Sequence, residues 1–95
     1  MKTIYKYHLN ITDTQIVEVP GKINPLTVQF QNGELTVWAE VDPDAPTRGL
    51  KFFVRGTGHK LPEEKCKYIG TVQEMGGHLI WHVYHATVFE EIAPL

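Results

Sequence analysis

The sequence predicts an all-β protein, a small antiparallel β-sandwich or half-open barrel of about seven short strands. Three observations carry this prediction. Polar and apolar side chains alternate with a period of two along almost the whole chain. Clusters of Gly, Pro, Asn and Asp separate the alternating runs. No stretch shows the apolar spacing of a long helix, and neither an internal repeat nor a low-complexity tract is present. With 95 residues, 42% of them hydrophobic, the chain suits one domain with one core, over residues 1–95. Such a short chain buries only about 60–65% of the surface its unfolded form exposes. Open sheets also leave edge strands that pair with other copies, so a homo-oligomer is expected.

Taken in order, Thr3 to Leu9 and Gln15 to Val19 read as strands flanking the turn Asn10-Ile11-Thr12-Asp13-Thr14. Leu26 to Gln31 and Glu34 to Val41 read as a hairpin, because Asn32-Gly33 suits the two positive φ values of a type I′ turn. That loop sets Gln31 against Glu34, Phe30 against Leu35, Val28 against Val37 and Thr27 against Trp38, so apolar meets apolar at each inward pair. Trp38 falls on the opposite face, among Thr27, Gln29, Thr36 and Glu40. Asp42 to Gly49 reads as a loop, since two prolines and a glycine punctuate it. Leu50 to Arg55 follows as a strand, with Leu50, Phe52 and Val54 on one face and Lys51, Phe53 and Arg55 on the other. Gly56 to Pro62 ends it, and Pro62 to Lys65 has room for one helical turn at most. Lys67 to Gln73 and Leu79 to His85 form the last strand pair, joined through Glu74-Met75-Gly76-Gly77. Leu79, Trp81 and Val83 should face the core, with His78, Ile80, His82 and Tyr84 opposite. Thr87 to Ala93 fits a strand or a short helix, and periodicity does not decide between them.

Nine basic and eleven acidic residues are mixed along the chain, for a net charge of -2. There is no basic stripe to neutralise a run of phosphates, so no duplex nucleic acid is expected as a partner. The single cysteine, Cys66, cannot form an internal disulfide, and Met1 to Ile11 alternate where a signal peptide needs an unbroken apolar stretch. No segment approaches the roughly 20 apolar residues of a membrane helix. These features point to a soluble protein of a reducing cytoplasm with no membrane partner.

Catalytic signatures are scarce. The chain contains no serine, which excludes a serine nucleophile, and Cys66 stands in a charged passage without a recognisable motif. Asp42 and Asp44 flank Pro43 in what reads as an exposed turn. His78, His82 and His85 would share one face of a helix and could hold a metal ion there. On a strand, the first two stand about 13 Å apart and the third points to the other face. The β-branched and aromatic run Ile80 to Tyr84 favours the strand. No metal, no cofactor and no catalysis are expected; the alternatives are a composite metal site drawing on His8 or His59, a hard cation at Asp42 and Asp44, and His59 or His82 acting as a general base on water.

Binding chemistry is better represented. In Arg55-Gly56-Thr57-Gly58-His59-Lys60, glycines free backbone N–H groups, Thr57 adds a hydroxyl, and Arg55, His59 and Lys60 supply positive charge, a combination suited to phosphate or carboxylate. The plain alternative is a strand end that turns sharply at glycine. His82 and Tyr84, with Trp38 and Phe53 on their own strands, offer rings for stacking on a base or a partner; the plain alternative is a solvated sheet face. The expected ligand-binding residues are Arg55, Thr57, Gly58, His59, Lys60, Trp38, His82 and Tyr84.

Four segments carry a likeness to a known group: Lys2 to Tyr7, Gln29 to Asp42 with Val37-Trp38-Ala39, Gly56-Thr57-Gly58-His59 with Leu61-Pro62, and Gly77 to Val83 with its Trp-His-Val run. In them the chain resembles a family of small uncharacterised proteins encoded by tailed phages and prophages. The resemblance implies an accessory role in the host cytoplasm: counter-defence, host takeover, or assembly. The expectation is a non-catalytic oligomeric sponge that sequesters a small phosphate-bearing, nucleotide-type signalling molecule. In it Trp38, Tyr84 or His82 would stack on a base while Arg55, Thr57, His59 and Lys60 hold phosphate. The alternatives are an interaction module that blocks a host protein or serves phage assembly, and a small histidine-dependent hydrolase.

Overall fold

The structure, a computed structural model, describes residues 1–92 of the chain. Seven strands follow one another: β1 (Thr3–Leu9), β2 (Thr14–Pro20), β3 (Ile23–Gln31), β4 (Glu34–Val41), β5 (Thr47–Gly56), β6 (Cys66–Glu74) and β7 (Leu79–Ala86). They form two antiparallel sheets, ordered β1-β4-β3 and β2-β5-β7-β6, stacked as a sandwich and not closed into a barrel. Alternation produces the core. Leu35, Val37, Ala39 and Val41 of β4 face Leu50, Phe52 and Val54 of β5 and Val83 of β7, and none of these is more than 3% exposed.

The β3–β4 hairpin has the register its sequence predicts, with Phe30 opposite Leu35, Val28 opposite Val37 and Thr27 opposite Trp38. Asn32 and Gly33 take φ values of 50° and 81°, as a type I′ turn requires. Beyond Thr27 the ladder slips by one residue: Pro25 pairs with Ala39, and Leu26 is left over. A proline that cannot donate to the ladder is a natural place for such a bulge.

The free edges are treated unequally. At β3 and β6 the two sheets nearly touch, because Gly70 has no side chain: a Cβ there would lie 2.9 Å from Val28 Cγ1. The β1 and β2 side is more open and carries exposed Ile4, Tyr5 and Ile16.

Several expectations are corrected. The loop expected over Asp42 to Gly49 is shorter, because β5 begins at Thr47: Pro20, Val19 and Glu18 of β2 pair with Thr47, Arg48 and Gly49, giving these residues a ladder the local sequence does not advertise. The tail is neither helix nor full strand. Thr87 and Val88 bend away, and the chain returns so that Gly49 N–H donates to Glu90 O at 3.0 Å and Glu90 N–H to Gly49 O at 2.8 Å; Ala93, at the end of that expectation, lies outside the described residues. Pro62 to Lys65 form no helical turn. Leu79 is 37% exposed, since it stands at the frayed end of β7 rather than over the core.

The largest correction is Phe53, which is only 2% exposed although it faces away from the inner side of the sheet. The segment after β5 folds back over this face. Arg55 Nε donates to Lys60 O at 3.0 Å, and Lys51 Nζ donates to Glu64 Oε1 at 2.8 Å, so the loop is tied down on this side, and Phe53 belongs to the buried apolar cluster.

Candidate ligand site at the loop end of the sandwich

Strand pairing assembles the site. Arg55 of β5 stands opposite His82 of β7, which stands opposite Thr71 of β6, so the three form one row across the outer face of the four-stranded sheet. The next row is Phe53, Tyr84 and Tyr68, with the two tyrosine rings edge to face at 5.3 Å.

Arg55 is largely occupied by the fold. Its Nε bonds Lys60 O, and its Nη1 donates to Asp13 O and, at 3.2 Å, to Val54 O. The guanidinium also lies 5.8 Å from the centre of the Phe53 ring. It therefore staples the β1–β2 loop and the β5–β6 loop to the end of β5. A guanidinium has five N–H donors, and among the described residues the Nη2 pair has no partner.

Gly56 to His59 form a tight turn in which His59 N–H donates to Gly56 O at 3.0 Å and Gly58 takes a φ of 89°, the positive value glycine tolerates best. The turn returns the imidazole onto Gly56. Gly56 N–H donates to His59 Nδ1 at 3.2 Å, and a Cβ on Gly56 would meet His59 Cε1 at 3.0 Å. Because Nδ1 accepts, the neutral ring carries its proton on Nε2, which is left to donate elsewhere. Gly56 pairs with Trp81 in the ladder, so His59 and Trp81 border the same clefts.

His82 is held at both ring nitrogens: Thr57 Oγ1 lies 2.7 Å from Nε2, and Thr71 Oγ1 lies 2.9 Å from Nδ1. Tyr68 OH extends the chain, 2.5 Å from Thr71 Oγ1. A neutral imidazole has one donor and one acceptor nitrogen, so one threonine donates and the other accepts. The ring is thus fixed in orientation, and Thr57 is tied to it.

Three shallow clefts meet around His59. The first, of about 430 Å³, is bordered by Arg55, Lys60, Leu61, Asp13 and Glu63. The other two, of about 260 and 220 Å³, share Trp81 and Gly56 and are walled by Leu79 and Ile80 on one side and by Ile11 and Val54 on the other. Lys60 is highly exposed and makes only a loose pair with Glu63 at 3.4 Å. The cationic cleft and the aromatic clefts are therefore neighbours, with the imidazole between them.

Of the expected residues, Arg55, Thr57, Gly58, His59, Lys60 and His82 come together at this end of the molecule. Tyr84 lies one row further along β7, half-buried between Phe53 and Tyr68. Trp38 does not join them: it is half-buried on the outer face of the other sheet, between Lys6 and Thr27. The ring at the site is Trp81, which strand alternation assigned to the core. It does pack, half-buried, against the core, but at the end of the sheets where it also borders the clefts, with Nε1 donating to Glu74 Oε1 at 3.2 Å. Thr71, Tyr68 and Asp13 are further participants; only cross-strand register brings them in, and no local motif marks them. His85 faces the interior from β7 while His82 faces out, and among the described residues no three His, Cys, Asp or Glu side chains are grouped to hold a metal ion.

Fold and site together define a small two-sheet β-sandwich with a cationic and aromatic cluster at one end. The chain matches the family described as a domain of unknown function, DUF7352, over residues 1–93, and it belongs to that family. No curated protein and no solved structure matches it.

Proposed function

We propose that the protein is a phage accessory protein acting in the host cytoplasm, a non-catalytic sponge that sequesters a small phosphate-bearing, nucleotide-type signalling molecule. The observation that carries this reading is the convergence of Arg55, His59 and Lys60 with Trp81 around adjoining clefts. Phosphate would meet Arg55 Nη2, Lys60 Nζ and His59 Nε2–H, while the base lies against Trp81. Small-ligand sites usually bury most of the ligand, and these clefts are open, so two copies closing over the loop ends would complete the pocket. Exposed Ile11, Leu61, Met75 and Leu79 around the same end provide apolar contact for that closure.

The test is incubation of the purified protein with linear and cyclic nucleotides, removal of unbound ligand, heat denaturation, and mass spectrometry of what is released. One nucleotide recovered intact supports the reading. Joint Arg55→Ala and Lys60→Ala substitution should weaken its binding by roughly tenfold or more, about 1.4 kcal/mol or above. Gly56→Ala should weaken it as well, by displacing the His59 ring. An altered product would instead make the protein an enzyme and give the 2.7 Å Thr57–His82 pair a catalytic role.

A second reading uses the same four exposed apolar residues as anchors for a host or phage protein. An empty protein in the nucleotide assay, together with a partner lost in the Leu79→Asp variant, would favour it.

A further inference from the structure

The opposite end of the sandwich holds a cleft of about 190 Å³ that enters between the two sheets. It exists because the chain leaves β7 at Thr87 and Val88 before returning to pair with Gly49, which moves Val88 and Phe89 aside from the line of the strand. Arg48 holds the wall from outside, with its guanidinium 5.2 Å from the Phe89 ring centre and Nη2 3.2 Å from Glu91 Oε1. Ile23, Leu50, Val88 and Phe89 supply an apolar lining, and His85 and Lys67, cross-strand partners on one face, supply the polar part.

The imidazole is set up to receive something. Nδ1–H donates to Ala86 O at 2.8 Å, so in the neutral ring Nε2 is the lone-pair nitrogen, and it has no partner among the described residues. A half-buried inward-facing histidine opposite fully buried Phe52 is an unusual choice for a position that any apolar residue would fill.

We propose that this cleft is a binding site for a small apolar carboxylate, whose charged end meets Lys67 and His85 and whose hydrocarbon end lies between Leu50 and Phe89. An apolar cavity of about 150 Å³ already accepts benzene, so the space here admits a short chain or a single ring. Among the described residues, Lys67 is the one charged residue lining the cleft; β5 contributes Leu50, and β3 contributes Ile23 and Asn24. Burial, more than the charge of Lys67, holds the His85 imidazole below its usual value of 6.5. A carboxylate brought to Nε2 draws a proton onto that nitrogen, so binding takes up a proton and weakens as pH rises.

The experiment is an NMR titration of the His85 ring and the Phe89 and Leu50 signals with hexanoate and with benzoate, at about pH 6 and about pH 8, with hexanol and benzyl alcohol as uncharged counterparts. The expected result is saturable shifts at these residues with the acids, roughly tenfold weaker at the higher pH. Lys67→Met and His85→Gln should each weaken binding several-fold, while the joint Arg55→Ala and Lys60→Ala variant at the other end leaves it unchanged. Absence of shifts with either acid in the wild-type protein would overturn the proposal. Equal binding of the alcohols, or indifference to both substitutions, would do the same, since apolar partition alone would then explain the signal.

Discussion

Tyr7 carries a hydroxyl that is buried with no hydrogen-bond partner among the described residues, and burial, followed by the proximity of Tyr5, raises its pKa above the usual 10.0. Removing an unpaired buried hydroxyl loses no bond, so Tyr7→Phe should leave stability unchanged or raise it by up to about 1 kcal/mol in urea denaturation. Arg55 presents the reverse case. Its bonds to three backbone carbonyls mean that Arg55→Ala should cost about 1–2 kcal/mol and speed amide exchange in both loops it joins. His85 adds a pH dependence. Its folded-state pKa is depressed below 6.5, so the unfolded chain binds more protons than the folded one just below that value. The contribution to stability is full above 6.5 and is lost as pH falls through it, levelling off below the depressed folded value. The melting temperature of the wild type should fall on acidification through this window, and the fall should be smaller in His85→Gln.

At the scale of elements, the contact between β3 and β6 is the most exacting. A Cβ on Gly70 would stand 2.9 Å from Val28 Cγ1, a short branched side chain with little room to yield. Gly70→Ala should therefore cost about 1–3 kcal/mol by forcing the two edges apart. Adding Val28→Ala should recover part of that loss, and a double-mutant cycle by chemical denaturation reads the coupling directly. The hairpin makes a different demand: nothing lies near the Cβ position of Gly33, but its φ of 81° strains any L side chain. Gly33→Ala should cost about 1 kcal/mol through the backbone alone. The segment Thr27 to Trp38 was readable residue by residue because both its turn chemistry and its apolar pairs are local, whereas the bulge at Leu26 was not. The first residues of β5 were not, because their partner is β2, far away in sequence.

For the molecule as a whole, nearly every stabilising contact outside the hairpins joins distant parts of the chain, with β1 reaching to β4 and β2 to β5. Folding should accordingly take milliseconds to seconds, as in other all-β domains, measured by stopped-flow fluorescence of Trp38 and Trp81. The two open loop ends also set the expected assembly. If the protein is the sponge proposed above, sedimentation with a nucleotide recovered in the binding assay should show a larger species than the free chain, and Leu79→Asp should abolish the difference.

Alternation, turn residues and the Asn32-Gly33 hairpin were enough to determine an all-β fold and most strand limits, since each rests on backbone geometry acting within a few residues; the choice of a sandwich over a half-open barrel was made by the pairing of distant strands. The Gly56 to Lys60 turn was likewise legible as a polar, cationic corner. Tertiary structure alone decided which rings accompany it. It buried Phe53 on the side of its strand away from the inner face, sent Trp38 to the far sheet and brought Trp81 to the end beside His59. A period of two specifies which side of a strand a residue occupies, but not what covers that side. Coverage depends on how the sheets stack and where loops return, and those are set by contacts between residues that the chain order keeps apart.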